Sequence, residues 1–246
     1  MNPEDRARQL AADSRRPVIL TGAGFSAESG VPTFRGPGGL WEGFRPEELA
    51  TPEAFAADPH KVWRWYAWRR ERVDAARPHA GHAAVAEWSQ RCPELKVVTQ
   101  NVDGLHQRAG GAAEVLELHG SLVRARCSAD GRPVADWRDV EGFPPRCDCG
   151  ALLRPDVVWF GETLPPGAIE TAGRWIAESD LLVVAGTSCV VAPASLLPAV
   201  ARRAEVPIVE VNPQATPLTP VATAHLTGPV GEILPRLVAR TGNPNG

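Results

Sequence analysis

The residues of this chain best suited to chemistry stand at regular stations, each just behind a short apolar run. Residues 18–21, VILT, empty into Gly22, Ala23 and Gly24, with the small residues Ser26 and Ala27 behind them. Residues 96–99 lead to Gln100, Asn101 and Asp103, and residues 115–118 lead to His119. Residues 181–185 lead to Gly186, Thr187 and Ser188, and residues 208–211 lead to Asn212. A glycine turn at the end of a strand lets backbone amides approach a pyrophosphate, which larger side chains at Gly22 and Gly24 would hold off. An imidazole, whose ordinary pKa is about 6.5, takes a proton readily near neutral pH. Asn and Asp hold hydroxyls and carboxamides, and they also cap helix starts, so Asn101 and Asp103 have two readings. A histidine before glycine, such as His119, serves structure as readily as catalysis when read alone.

These stations need a scaffold that gathers them. Apolar runs of four or five residues alternate with helix-length segments at 4–15, 79–90, 168–178, 194–204 and 232–240. That alternation predicts an α/β fold, a Rossmann-like parallel sheet with helices on both faces. In such sheets the crevice opens at the carboxyl ends of the strands, where all five stations would lie. Two stretches interrupt the pattern. Residues 36–78 read as helices broken at proline-bearing turns, and they carry Trp41, Trp63, Trp65 and Trp68, which suit the private core of a small helical insertion. Residues 121–154, rich in Arg, Asp, Pro and Cys, show no sustained period and read as a small separate module. Residues 156–162 are expected to be extended.

Bulk properties remove several function classes. The net charge of -3 gives no electrostatic case for nucleic acid or an anionic membrane. The apolar runs are strand-sized and too short to span a bilayer, and the N-terminal residues mix both charge signs without an apolar core, so a cytoplasmic protein is expected. Five cysteines in 246 residues do not make a disulfide framework. Cys127, Cys147 and Cys149 cluster in a way that suggests metal, whereas Cys92 and Cys189 read as buried apolar thiols. The glycine turn also satisfies the dinucleotide fingerprint, with Ala27 in its last small position. A dehydrogenase would continue into a second strand with an acidic ribose reader about 20 residues on, but this chain turns through GVPTFRG at 30–36.

Six segments, GAGFSAESGVPTFRG at 22–36, TQNVDGLH at 99–106, HG at 119–120, VVWFGE at 157–162, GTSCVVAPA at 186–194 and EVNPQATPLT at 210–219, together resemble the sirtuin family of NAD-dependent protein-lysine deacylases. The resemblance implies a large NAD-binding domain from residues 1–35, 79–120 and 155–246. It also implies a smaller domain built from a helical insertion, 36–78, and a zinc-ribbon-like insertion, 121–154. In that family the amide oxygen of an acyl-lysine attacks the anomeric carbon of the NAD ribose as nicotinamide leaves, and free lysine and O-acyl-ADP-ribose follow. The resemblance makes His119 the general base, Asn101 the holder of a ribose hydroxyl or water, and Asp103 the partner of the nicotinamide carboxamide. It makes Gly22, Ala23, Gly24, Ser26, Ala27, Gln100, Gly186, Thr187, Ser188, Asn212 and Val230 cofactor contacts. Phe34 would screen the anomeric carbon and Arg35 would contact phosphate or ribose, residues 32–35 forming a cover that orders over NAD. Val157, Val158, Trp159, Phe160 and Gly161 would pair with an extended acyl-lysine peptide as an added strand, with loose sequence specificity.

Two features refine this picture. Tyr66 and Arg69 stand three apart on an expected helix and so can share one face. In the desuccinylase-like class III branch such a pair reads the distal carboxylate of succinyl, malonyl or glutaryl lysine, because guanidinium binds carboxylate through two charge-assisted bonds. Ala50 resembles the small residue that makes room for the longer acyl group. An arginine-rich solvated face is the plainer alternative. The metal site departs from the family's two Cys-x-x-Cys pairs: Cys127 is followed by Asp130, and Cys147 and Cys149 are separated by one residue. Three thiolates plus the Asp130 carboxylate would supply four donors for zinc; equally, the module could stand without metal. A sirtuin-like mono-ADP-ribosyltransferase would share the cofactor apparatus, and an NAD or ADP-ribose sensor would not need Asn101, Asp103 and His119 together.

Overall fold

The computed structural model describes residues 2–34, 39–43, 45–135 and 137–239. Its strands, in chain order, are β1 (Pro17–Thr21), β2 (Lys96–Thr99), β3 (Glu114–Glu117), β4 (Gly120–Cys127), β5 (Pro133–Val134), β6 (Leu153–Val157), β7 (Leu181–Ala185), β8 (Ile208–Asn212) and β9 (Ala224–Thr227). Its helices are α1 (Pro3–Asp13), α2 (Leu40–Gly43), α3 (Pro46–Leu49), α4 (Pro52–Ala57), α5 (Pro59–Ala75), α6 (Ala80–Arg91), α7 (Leu105–Arg108), α8 (Ala168–Ala177), α9 (Leu197–Arg203) and α10 (Val230–Val238). Among the described residues no helix is long and apolar enough to cross a membrane.

Six parallel strands make the main sheet in the order β3-β2-β1-β7-β8-β9. The apolar runs are continuous because both faces are covered. Ile19, Val97, Val183 and Val209 face a core completed by α1, α6 and α10. Their neighbours Val18, Val98, Leu182 and Ile208 face a second core under α8 and α9. This alternation follows from the two-residue period of a strand. Burying one such aliphatic side chain stabilises the fold by roughly 1.5–3 kcal/mol.

A second, antiparallel sheet in the order β5-β4-β6 packs with α5 around a third core that includes Trp63, Trp65, Tyr66, Leu122, Leu153 and Trp159. The α5 helix starts sharply, since Pro59 opens it and the Asp58 carboxylate accepts the Lys61 amide at 2.8 Å. Trp63, Trp65 and Trp68 are thus shared with the antiparallel sheet, and Trp63 Nε1 donates to Leu153 O at 2.7 Å.

The structure corrects several local expectations. The glycine turn at Gly22, read from sequence as opening a helix, instead runs into two short 3-10 turns, Ala23–Phe25 and Ala27–Ser29. Residues 121–154 contain most of an eight-residue strand, β4, that periodicity did not show. The reason is a register shift between Ser121 and Ala125 in the β4–β6 pairing, which interrupts the two-residue alternation ahead of the outward-facing Arg124, itself paired with Glu117 at 2.7 Å and Asp156 at 2.9 Å. The extended run expected at 156–162 leaves the sheet at Val157. The helix expected at 194–204 is a 3-10 turn, Ala194–Leu196, followed by α9. The edge strand β9 was not anticipated at all.

Candidate active site

Strand β1 ends in Gly22, whose amide bonds to Ala185 O at 3.3 Å, and Gly24 N bonds to Gly186 O at 2.8 Å. The loops after β1 and β7 are therefore joined backbone to backbone. Gly186 has φ +61°, and a Cβ there would overlap Phe25 N, so only glycine fits this crossing. Gln100, just past β2, donates through Nε2 to Thr21 O at 3.3 Å and to Thr187 Oγ1 at 3.1 Å. Asn212 Nδ2, at the end of β8, donates to Thr187 O at 2.8 Å. Polar side chains thus tie the ends of β1, β2, β7 and β8 together.

These ends open into a cavity of about 890 Å³. Gly22, Ala23, Gly24, Phe34, Gln100, Asn101, His119, Gly186, Thr187, Ser188 and Asn212 line it, and so do Ala50, Tyr66, Arg69 and residues 157–161. Most residues singled out from sequence meet here. Ser26 and Asp103 stand just behind the wall, buried: Ser26 Oγ accepts from Asn101 Nδ2 at 3.1 Å, and Asp103 accepts the Leu105 amide at 2.9 Å. Asp103 therefore braces the turn ahead of α7, whose N-cap is Gly104 without a side-chain cap bond, while Asn101 bonds to Ser26. Ala27 is exposed in the second 3-10 turn and does not line the cavity. Val230 is buried at the start of α10 among core residues and does not line the cavity either. Arg35 lies outside the described residues.

His119 follows β3 and precedes Gly120, whose φ of +76° and contact with Asp156 O exclude a side chain. Its Nδ1 lies 3.0 Å from Gln100 O. A carbonyl only accepts, so Nδ1 carries the proton and Nε2 keeps its lone pair. Burial lowers the His119 pKa, with the Gln100 bond opposing. At neutral pH the ring is a ready proton acceptor. Asp103 is pushed the other way, upward, by burial, against bonds from the Leu105 amide and Ser26.

At the other end Arg69 spreads its guanidinium over the rings of Trp65 at 4.7 Å, Phe34 at 5.1 Å and Tyr66 at 5.5 Å. Burial lowers its pKa, and among the described residues no carboxylate forms an ion pair with it. The Tyr66 phenol, 2 % exposed, accepts a bond from Trp159 Nε1 at 2.9 Å. Trp159 is itself fixed, with Arg154 stacked 3.4 Å from its ring centroid and its amide bonded to Glu162 at 2.9 Å. Sequence reasoning missed this brace because Trp159 and Tyr66 are 93 residues apart. Val158 N bonds to His119 O and Phe160 N bonds to Ala50 O, so three successive amides of the expected peptide-pairing segment already have partners.

The Sγ atoms of Cys127, Cys147 and Cys149 lie within 4.8 Å of one another. Asp130, the expected fourth donor, hydrogen-bonds the Cys127 thiol at the edge of this trio, while its carboxylate also takes the Arg132 amide at 3.0 Å and pairs with Arg132 Nε at 3.4 Å. Arg132 Nη2 in turn donates to Cys147 Sγ at 3.0 Å, and the bonds from Cys149, Cys127 and Arg132 hold that thiol's pKa down. Three convergent sulfurs, one of them held toward thiolate, fit a zinc ion with three of its four corners supplied. Cys92 is buried as expected, whereas Cys189 is half-buried with φ 54°.

The Sir2 family model matches residues 22–193, which span the cavity walls from the glycine turn to Pro193. The chain belongs to the Sir2 family. Among relatives of this family, the NAD-dependent protein deacylase 2 of Pyrobaculum aerophilum is 56% identical over 230 residues, covering 93% of this chain and 92% of the relative. The NAD-dependent protein deacylase 1 of Archaeoglobus fulgidus is 50% identical over 242 residues, covering 96% of each chain. A solved Sir2 homologue variant in complex with ADP-ribose superposes with a TM-score of 0.89 at 49% identity, over 95% of this chain and 94% of that one. A Sir2 protein bound to a p53 peptide and NAD+ gives a TM-score of 0.83 at 33% identity, over 96% of this chain and 97% of that one. NAD is the cosubstrate of Sir2 enzymes; the glycine crossing at Gly22, Gly24 and Gly186, whose own amides bond to Ala185 O, Gly186 O and Val211 O, forms part of the cavity wall.

Proposed function

We propose that this Sir2 chain is an NAD-dependent protein-lysine deacylase that prefers acyl groups ending in a carboxylate. Succinyl, malonyl and glutaryl lysine are the preferred substrates, with some deacetylation retained. The observation that carries this reading is a single cavity whose wall holds both a neutral imidazole, His119, and a guanidinium without an ion-pair partner among the described residues, Arg69. A half-buried cation on the wall of a substrate cavity favours an anionic ligand, because the ligand's charge offsets what desolvation costs. The relatives' shared name and the p53-peptide neighbour support a protein substrate.

In this reading the loops at Gly22, Gly24 and Gly186 hold the pyrophosphate, and Thr187, Ser188 and Asn212 hold the adenosine half. Asn101 keeps a ribose hydroxyl or water in register, and Asp103 takes the nicotinamide carboxamide. Phe34 covers the reacting carbon against water. His119 Nε2 accepts a proton from a ribose hydroxyl as that oxygen attacks the acyl carbon; its Nδ1 bond to Gln100 O keeps the accepting nitrogen free. The peptide backbone lies along residues 157–161, and the acyl chain passes Ala50 to reach Tyr66 and Arg69. The large NAD-binding domain then comprises 1–35, 79–120 and 155–246, with 36–78 and 121–154 forming the small one.

Rates on acetyl, succinyl, malonyl and glutaryl versions of one peptide test the acyl preference. The Arg69→Met variant is expected to lose desuccinylation at least about tenfold more than deacetylation, as loss of a bidentate charged bond would cause. Equal loss of both activities overturns the preference.

A further inference from the structure

Behind the main sheet's functional edge lies a second cavity, of about 210 Å³, lined by His82, His106, Val97, Val115 and Gly111 among others. His82, on α6, is 0% exposed, and His106, on α7, is 5% exposed. Their ring centroids are 5.1 Å apart, and both rings pack against Phe25, each with its centroid 4.8 Å from the phenyl centroid. Two ring nitrogens, His82 Nε2 and His106 Nδ1, are buried without a hydrogen-bond partner among the described residues. Buried polar atoms in folded proteins are nearly always hydrogen-bonded, to protein or to ordered water.

The surrounding bonds decide which nitrogen donates. The His79 amide donates to His82 Nδ1 at 3.4 Å, so His82 carries its proton on Nε2. Thr21 Oγ1 gives its only proton to Thr99 Oγ1 at 2.8 Å. It can therefore only accept from His106 Nε2, 3.1 Å away, and His106 Nδ1 is left as a bare lone pair. The two unpartnered atoms are thus one donor and one acceptor, on neighbouring rings, at one cavity. Burial keeps both rings neutral, His106 with its pKa pushed down to about 4.

We propose that this cavity binds water that accepts from His82 Nε2 and donates to His106 Nδ1, and that the bridged pair makes His106 a positioning residue for Asn101. From His106 the bonds run through Thr21 Oγ1 to Thr99 Oγ1, which accepts the Asn101 amide at 3.0 Å. Asn101 Nδ2 continues the chain to Ser26 Oγ at 3.1 Å. The relay therefore fixes the backbone at the residue assigned above to hold the ribose hydroxyl or water. A water molecule suits the cavity, which is large enough and is lined by both imidazole rings.

The role given to Asn101 rests on the proposed deacylase reading, but the bridge does not, and the test separates them. Long-range proton–nitrogen spectra of the intact protein labelled at histidine nitrogen are expected to show both rings in the Nε2–H form near neutral pH, with His106 Nδ1 shifted as a hydrogen-bonded acceptor. A high-resolution crystal structure is expected to show water between the rings. A free imine shift at Nδ1, or a dry cavity, overturns the bridge whatever the activity. For the positioning role, Thr21→Val keeps shape but breaks the relay. It is expected to lower the deacylation kcat about tenfold with the peptide KM unchanged, and Thr21→Ser is expected to restore it. Wild-type kcat in Thr21→Val overturns that role, and so does failure of Thr21→Ser to restore turnover; a wild-type protein inactive on every acyl peptide overturns the deacylase reading instead, with the spectra still deciding the bridge.

Discussion

The indole Nε1 of Trp159 donates a 2.9 Å hydrogen bond to the phenol oxygen of Tyr66, and that bond ties the loop after β6 to the helix that carries Arg69. The Arg69 side chain bonds to the same phenol. The Trp159 ring is held in turn by Arg154, whose two Nη atoms grip Glu162 at 2.6 and 2.8 Å. Tyr66→Phe should therefore do two things. It leaves a buried indole N–H without its acceptor, lowering stability by about 1–3 kcal/mol in urea melts. It should also raise the KM for a succinyl peptide several-fold more than for an acetyl peptide. Equal KM changes would separate Tyr66 from acyl recognition.

His119 predicts a pH profile. Burial lowers its pKa, so the neutral base form persists below the ordinary imidazole value of about 6.5. The acid limb of kcat/KM on an acyl peptide should fall below pH 6.5, and His119→Ala should abolish turnover while the fold remains. An acid limb well above pH 6.5, or an active His119→Ala variant, contradicts the assignment.

The two deeply buried histidines predict acid lability. His106 is neutral in the fold, with its pKa near 4, whereas the unfolded chain takes up that proton near 6.5. Stability is therefore whole above about pH 6.5 and declines as pH falls toward 4, by roughly 2 kcal/mol at pH 5 from this residue alone. Urea midpoints at pH 7 and pH 5 measure it; an unchanged midpoint contradicts it.

The cysteine trio predicts a metal. Protein purified without chelator should carry about one zinc per chain, and Cys149→Ser should lower both zinc content and melting temperature. Metal-free wild-type protein of the same stability would mean that Arg132 and the loop bonds hold the module alone.

Much of the site was legible because parallel strands buried on both faces read as unbroken apolar runs, and the functional residues stand at their ends. Gly22, Asn101, His119, Gly186 and Asn212 could be placed in one crevice from that fact. What escaped had physical reasons. The strand β4 hides its period because its pairing with β6 shifts register between Ser121 and Ala125. Val230 packs in the core at the start of α10, a placement that composition does not show. The Asp130 carboxylate is shared between the Cys127 thiol and Arg132, a division that spacing does not show. The Trp159–Tyr66 and His106–Thr21 bonds join distant segments, and no local pattern announces them.

The central claim is NAD-dependent removal of acyl groups from protein lysine. Incubating the protein with NAD and a succinyl-lysine peptide, while following nicotinamide and free lysine together, tests it most directly. The account predicts that the two products appear in equal amounts, with O-succinyl-ADP-ribose as the third. Protein labelled with ADP-ribose but no free lysine, or no turnover of NAD at all, would contradict it.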